Sequence, residues 1–549
     1  MESTQVIIVG AGPSGLVLAL TLAQYHVRIN VGTDNILGQA VPEGLLQIQP
    51  VLERVLRDAV VQSPWCSLRT GCTVVGRPTE EPPSVEYRDD NCRTGVIRGQ
   101  WLVGADGKTG IVRKSFLEPC AGIRQEEGCY RYNGTWVAAN LKISLPTPET
   151  HPELSLWELG YTPQQVYDLF WPEGWHFCSP PGKPTASGRF GPHSERLWRH
   201  EFRQASAHET RDVQQLLWEH LSPMITRECD EDGRKFQSSV QFPRDCITVL
   251  RCEPFRFTHK VVNRWYDKRT ILIGDAAHVF PPFAGQGIAS GLRDAHQLGW
   301  RLFLLTDRET GGPKLIAGVN ALLDSWASER QYSVQDAAFF SMLMGRLCND
   351  RLSVWVYLLL NLFMLLERRR LLPRAVNPQA HQERKGFTRA SGGFFMKGKN
   401  GGSRLAQIPL RGDTKSSVLL SDTILRESRS TFTLLVIQNV SDGEGPYKEA
   451  INAIQGAEVW EDILSLQSIR VYYVDAASSG PLPQNEATRH TYSPWTEESV
   501  GGENHRIYLD RIGSSTKFVI IRPDFFLFAG AQDRLELDLC LAALKRQLS

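Results

Sequence analysis

Gln5-Val6-Ile7-Ile8-Val9-Gly10-Ala11-Gly12-Pro13-Ser14-Gly15 is a short β-branched run closed by three glycines, and the helical stretch Leu16 to Tyr25 follows at once. Val27 to Val31 then reads as a second strand, so the chain opens as a parallel α/β unit. The glycines stand where a dinucleotide needs them. Gly10 allows the tight turn, Gly12 lets backbone approach a pyrophosphate, and Gly15 lets strand and helix pack closely, with the helix N-terminus facing the anion. Ala11, Pro13 and Ser14 complete the loop. The acid expected to hold a ribose hydroxyl at the end of the second strand falls on Asp34, one residue after Thr33. A solvated loop aspartate is the competing reading of Asp34, and a glycine turn without a ligand is that of the loop.

Two later stretches use similar chemistry. Gly104-Ala105-Asp106-Gly107 follows the apolar Trp101-Leu102-Val103 and precedes Ile111-Val112-Arg113. A strand ending in Asp-Gly puts a carboxylate and a tight backbone near one ligand, although Asp-Gly alone is simply a turn signal. Ile273-Gly274-Asp275-Ala276-Ala277-His278 runs through Pro281-Pro282-Phe283-Ala284-Gly285-Gln286-Gly287 into a helix from Ile288 to Leu305. Asp275, at a strand end, can accept from a ribitol hydroxyl. The Gly285-Gln286-Gly287 backbone, opening a helix, offers N–H donors to electron-rich oxygens.

The 549 residues suggest two to four domains. A net charge of +1 gives no electrostatic footprint for nucleic acid, and 42% hydrophobic with 22% charged residues excludes a disordered or collagenous chain. Eleven cysteines without a CxxC or a zinc spacing read as reduced thiols of a cytoplasmic protein, with no metal site. Met1 to Gln5 lacks the basic start of a signal peptide. Val354 to Leu366 is apolar but too short to span a bilayer, so core packing is the expectation and an interfacial helix the alternative. Lys385 to Arg404, basic and glycine-rich, reads as a linker. Beyond it come a strand over Thr431 to Val440, a helix over Tyr447 to Ile454, a strand over Ile469 to Val474, a hairpin around Arg522-Pro523-Asp524, and a last helix with Leu537, Leu541, Leu544 and Leu548 on one face.

Taken together, the three motifs resemble the FAD-dependent aromatic hydroxylases of the phenol hydroxylase and para-hydroxybenzoate hydroxylase type. Gln49-Pro50-x-Leu52-Glu53 is similar to that family's short helix start, whose Gln contacts flavin, and Phe257-x-His259 to Trp265 is similar to its approach to the third motif. The resemblance implies an α/β fold: a Rossmann-like FAD-binding domain in two parts (1–115 and 265–350) with an inserted mixed-sheet substrate domain (116–264). A helical segment and linker (351–400) and a thioredoxin-like C-terminal domain (401–549) complete it. It also implies that Gly10, Ala11, Gly12, Pro13, Ser14, Gly15, Asp34, Gln49, Asp106, Arg113, Gly274, Asp275, Pro282, Gly285, Gln286, Gly287 and Ile288 hold FAD. Pro281 and Pro282 match the Pro-Pro beside the substrate ring, with a structural turn as the alternative. Arg196, Trp198 and His200 share one face of a strand where the family builds its substrate wall; an ordinary strand surface is the competing reading.

The chemistry implied is hydroxylation of a phenol-like small molecule with NAD(P)H as a transient co-substrate and O2, through a flavin hydroperoxide. A homodimer is implied by the family alone. The chain departs from the family after Thr33, where only 15 residues precede Gln49. The family's much longer segment carries an Arg that contacts flavin and part of the pocket wall. Ala289 also stands where many members have Asn. The alternative is therefore a catalytically impaired or non-catalytic relative. A hydrolase is excluded, because Gly287-Ile-Ala-Ser290-Gly291 is not a GxSxG elbow.

Overall fold

The computed structural model describes residues 2–24, 49–178, 184–204, 212–306, 319–349, 354–369, 386–411, 418–422, 430–475, 491–494 and 503–548. Asp34 and the strand expected over Val27 to Val31 lie outside them.

Strand Thr94–Gly104 is the axis of the first sheet. Glu2–Val9 runs parallel along one edge, from Ile97 to Gly104. Along the other edge, Ser84–Asp89 pairs antiparallel with residues 94–98, and Thr270–Leu272 runs parallel with Leu102 to Gly104. Trp101, Leu102, Val103, Ile271 and Leu272 are buried, as parallel strands covered by helices require. Helix Pro13–Gln24 lies against helix Gln286–Leu305 so closely that a Cβ on Gly299 would come within 2.4 Å of Thr21.

Between the strands of that sheet the chain builds a second one, wholly antiparallel, in the order Ile247–Thr258, Asn133–Ile143, Leu197–Arg203, Thr185–Phe190, Trp175–Cys178. Helices Pro163–Phe170 and Val213–Leu221 cover one face, where Val137, Ala139 and Leu141 meet Leu169, Phe170 and Leu217. Thr162 starts the first helix in a capping box with Gln165, and Asp212 caps the second.

The C-terminal strands form a seven-stranded sheet. At its centre Thr433–Gln438 has Ile469–Tyr473 parallel on one side and Phe518–Ile521 antiparallel on the other, with Leu527–Ala531 antiparallel beyond. Helices Gly445–Ala457, Glu503–Ile512 and Arg534–Leu548 intervene or follow. Leu537, Leu541, Leu544 and Leu548 are all buried.

Two expectations are corrected. Residues 386–404 are not a loose linker: Phe387, Phe394 and Phe395 are buried, Phe387 stacks 4.2 Å from Phe526, and Met396 N–H and Gly402 N–H donate to Phe528 and Leu527. Three aromatics in a glycine-rich stretch outweigh its polar composition. In helix Val354–Arg368 the described apolar side chains Trp355, Leu358, Leu359, Leu362 and Leu365 are all exposed, so this face is not packed into the core. No helix among the described residues is long and apolar enough to cross a membrane.

The C-terminal sheet is joined to the motif helix by four charges with no exposed side-chain surface. Arg522 donates to Glu329 at 2.7 and 3.0 Å and to Asp524 at 2.9 Å; Arg301 donates to Glu329 at 2.8 Å, and the Trp300 indole to Asp524 at 2.9 Å. Two cations and two carboxylates cancel, so the burial is tolerable only while the set is complete. Arg522→Met should cost about 3–5 kcal/mol in urea unfolding, because it leaves two buried carboxylates to the single cation Arg301. A change below about 1 kcal/mol would contradict this view of the interface.

His200 gives a second test. Burial first, and then His220 at 3.3 Å, push it down to about 3 from its ordinary 6.5. Between those values the unfolded chain binds the proton that the folded chain refuses, so stability is lost as pH falls through that window. The slope should reach about 1.4 kcal/mol per pH unit between about pH 6 and about pH 4. His200→Leu should remove that contribution, and an unchanged slope would refute it.

Candidate functional site

The three motifs meet because their strands end in line. Val9 and Leu272 both pair with Gly104, from its two sides. The chain leaves the sheet at Gly10, Ala105 and Ile273 together, and Val9 and Gly104 carbonyls accept from Ala105 N–H and Ile273 N–H at 2.7 and 3.0 Å. Ligands of open α/β sheets bind at such carboxyl ends. Gly10 has φ of +114°, and a Cβ there would lie 2.2 Å from the Ala105 carbonyl oxygen, so only glycine lets the first two loops touch. At Gly12, by contrast, a Cβ would meet nothing within 4 Å. Its backbone faces open space beside the N-terminus of helix Pro13–Gln24, where Pro13 takes the first position. Ala11 and Pro13 are half-buried there; a Cβ on Gly15 would lie 2.1 Å from the Gly10 carbonyl oxygen, and Cβ atoms at Gly274 and Gly291 would lie 2.7 and 2.1 Å from Ser14 Oγ, where the two helices meet.

Asp106 carries an open valence. One carboxylate oxygen accepts from Val112 N–H at 2.9 Å, and the other is buried without a partner. Burial pushes this carboxyl above its usual range, against the pull of Val112 N–H and Arg113. Asp275, at the next strand end, is accessible yet surrounded by protein, and desolvation raises it too. A hydroxyl-rich ligand could satisfy both groups by donating to them. Gly285, with φ of +61°, precedes helix Gln286–Leu305, and neither it nor Gly287 has anything within 4 Å of a Cβ. Gln286 is buried and Ile288 exposed at this end. These residues fit a dinucleotide-sized ligand: two strand-end carboxylates, two free helix N-termini and three glycines on open space.

Arg113 and His278 tie the loops of the site together. Arg113 is buried, and its guanidinium donates to the carbonyls of Ala276 and Lys108, tying the second loop to the third. His278 bonds Asp294 at 2.7 Å, and Asp294 also accepts from Gly274 N–H at 2.9 Å and Arg330 at 2.7 Å. Burial opposes the charge on Asp294, but His278 and Arg330 prevail and hold its carboxyl below the usual range. No motif or spacing singles out Asp294 or Arg330. Gln49, exposed at the start of helix Gln49–Gln62, donates to Glu53 at 2.9 Å.

The middle sheet turns its other face to the Pro281-Pro282-Phe283 segment. Pro281 is buried and Pro282 half-buried, and Phe283 packs edge-on against Trp136 at 5.2 Å and Tyr132 at 5.6 Å. Trp136 pairs with Arg203, so that face carries Trp136, Ala138 and Asn140 with Arg203, Glu201 and Arg199. Trp198 and His200 therefore lie on the opposite face, packed against the covering helices and His220. Arg196 precedes the strand in a left-handed turn with φ of +47°. The substrate-wall reading of these three is corrected: alternation put Trp198 and His200 on one face, but that face is the core.

The wall that faces Phe283 holds an ion pair. Arg199 donates to Glu201 at 2.8 Å and to Asn140 at 2.7 Å. Burial raises the Glu201 carboxyl above its ordinary range, and Arg199 only partly offsets this. Its cross-strand neighbours are the small Ala138 and Ala186, while those of Arg199 are Asn140 and Gly188, the latter closely covered by Gly174 and Trp175.

Comparison with known proteins agrees with this geometry. Residues 28–341 match the model of a family described as FAD binding domain. A probable NADH-specific resorcinol 4-hydroxylase of Rhodococcus jostii is 26% identical over 58% of this chain and 50% of its own length. A 3-(3-hydroxy-phenyl)propionate/3-hydroxycinnamic acid hydroxylase of Paraburkholderia xenovorans is 25% identical over 54% of this chain and 39% of its own. The chain thus spans half or less of the length of these relatives. The flavin-dependent monooxygenase PieE, solved with FAD and substrate, shares the fold with a TM-score of 0.61 at 17% identity, covering 100% of this chain and 99% of that one. Aklavinone-11 hydroxylase, solved with FAD and aklavinone, does so with a TM-score of 0.58 at 13% identity, covering 99% of each. With more than half its length under the family model and the three glycine loops brought to one sheet end, the chain belongs to the FAD binding domain family.

Proposed function

We propose that the protein is an FAD-dependent monooxygenase that hydroxylates a phenol-like aromatic molecule with NAD(P)H and O2. The observation that carries this reading is the line of strand ends at Val9, Gly104 and Leu272, with an unpartnered buried oxygen on Asp106 beside it. Asp106 and Asp275 would accept from the ribose and ribitol hydroxyls of FAD. Gly12 and Gly285 to Gly287 would give backbone N–H groups to its phosphates and ring oxygens. Bound there, FAD supplies the redox chemistry with NAD(P)H and O2.

The chain's own part is to bind, orient and keep water out. Pro281, Pro282, Phe283, Trp136 and Tyr132 form the apolar side of the proposed substrate pocket. Glu201, its carboxyl raised by burial, is suited to take a proton from a phenol hydroxyl, and Arg199 to stabilise the phenolate. Nine free cysteines among the described residues support a cytoplasmic setting, and the exposed stripe from Trp355 to Leu365 supports a homodimer. We read the C-terminal sheet as thioredoxin-like from the order and directions of its four central strands. Its one cysteine, Cys540, is buried, so dithiol exchange is not part of its role.

The purified protein should be yellow and keep FAD through desalting. NADH oxidation should rise when resorcinol or 3-(3-hydroxyphenyl)propionate, the phenols named for its relatives, is added. Protein that folds but never retains FAD would overturn the proposal. Asp106→Ala should weaken FAD binding about 10- to 100-fold, the loss of a hydrogen bond to a charged group. Glu201→Gln should retain FAD but lower turnover on the responsive phenol by about 100-fold or more, the share of one general base. Equal turnover in that variant would remove Glu201 from the mechanism.

A further inference from the structure

A second constellation lies at the other end of strand Asn133–Ile143, about 23 Å along the strand from Trp136. Ile143 pairs there with Ile247, and the turn preceding Ile247 carries Asp245 and Cys246. The loop beyond Ile143 brings back His151. His151 and Cys246 are buried, at 9% and 5% exposure, while Asp245 lies at the surface. His151 Nε2 is 3.1 and 3.2 Å from the two Asp245 oxygens and 3.8 Å from Cys246 Sγ. One ligand atom from each residue falls within 4.8 Å of the other two.

The arrangement is convergent. A proton relay would set the carboxylate on one ring nitrogen and the thiol on the other. Here the carboxylate sits on Nε2 and Sγ lies beside the ring, 3.8 Å from Nε2 and 4.0 Å from Nδ1, while Nδ1 is 2.9 Å from Thr150 Oγ1, which can accept its proton and orient the ring. The segments are also held independently of the three side chains. His151 N–H donates to Thr147 at 2.8 Å, its carbonyl accepts from the Trp157 indole at 2.8 Å, and Ser144 N–H donates to Cys246 at 2.8 Å. A tetrahedral zinc ion at ordinary bond lengths sets its N and O ligands about 3.3 Å apart and N and S about 3.6 Å apart. The separations from Nε2 are close to those values.

We propose that His151 Nε2, one Asp245 carboxylate oxygen and Cys246 Sγ bind a single Zn2+, with water as the fourth ligand. The thiol releases its proton to solvent as the metal–sulfur bond forms. Imidazole with one thiolate and one carboxylate suits zinc better than magnesium or calcium, which take oxygen ligands. The ion would pin the 144–151 loop to the 244–247 turn and so stabilise the middle sheet. This inference stands apart from the flavin reading, and neither depends on the other.

The test uses the full-length protein as purified, dialysed against a chelator, then titrated with Zn2+ by calorimetry. A parallel titration uses Co2+, read by difference absorption at wavelengths beyond any flavin band. One equivalent of Zn2+, a tetrahedral cobalt–thiolate spectrum and a raised melting temperature are expected. Cys246→Ser should abolish the cobalt–thiolate absorption. Asp245→Asn, a surface change that leaves the fold intact, should weaken Zn2+ binding at least about tenfold, and Thr150→Val, which loses the ring's second partner, by about tenfold. No binding to the wild-type protein, or the same binding in Cys246→Ser and Asp245→Asn, would overturn the proposal.

Discussion

Asp294 takes its three hydrogen bonds from three different parts of the chain: the loop at Gly274, the short strand at His278 and the long helix at Arg330. A wholly buried carboxylate survives only when both oxygens are bonded and a cation stands near, and both conditions are met. The helix that carries it, Gln286–Leu305, begins at the open Gly285 to Gly287 backbone. Asp294 therefore sets how the third motif's strand end, its helix N-terminus and its proline segment stand to one another. Without this clamp the loop bearing Asp275 would have no fixed relation to the helix that faces it. His278 acts here as a strut, its Nε2 bonded to Asp294 and its Nδ1 buried without a partner.

The site was legible in the sequence to the extent that its geometry is local. Gly10, Gly12 and Gly15 encode a turn, an approach and a helix contact within six residues, and Gly10 and Gly15 are indeed too crowded for any Cβ. Asp106 and Asp275 follow apolar runs of strand length, so their position at strand ends could be read as well. What could not be read was anything needing a partner far along the chain. Arg113 looked like a cofactor contact because it follows the second motif, yet its guanidinium reaches Ala276, 163 residues on. His151 and Asp245 stand 94 residues apart, so no spacing announces their cluster.

Strand Leu197–Arg203 shows a different limit. Alternation correctly groups Trp198 with His200, and Arg199 with Glu201, but it is silent on which group faces the covering helices. Composition favours a misreading, because Trp and His look like pocket residues and an Arg–Glu pair looks like a solvated surface. The register decides otherwise: Trp198 sits opposite Leu141, and Glu201 opposite Ala138, two residues from the Trp136 that meets Phe283. A charged pair flanked by alanines and glycine on the face toward an aromatic cluster is poor packing for its own sake. It becomes intelligible if a ligand lies beside Glu201, whose cross-strand neighbours are both alanines.

The same reasoning applies to Arg522-Pro523-Asp524, whose composition is that of a solvated turn. The structure puts this turn against Trp300 and Glu329, with its charges neutralised inside the protein. Trp300 and Arg301 belong to the helix that carries Asp294, eight residues or fewer away along one rod. The C-terminal sheet thus grips the far part of the helix whose beginning faces the proposed flavin site. Such a contact is too costly in desolvated charge to be a casual meeting of two folded units. It ties the position of the motif helix, and with it the Gly285 to Gly287 backbone, to the C-terminal sheet.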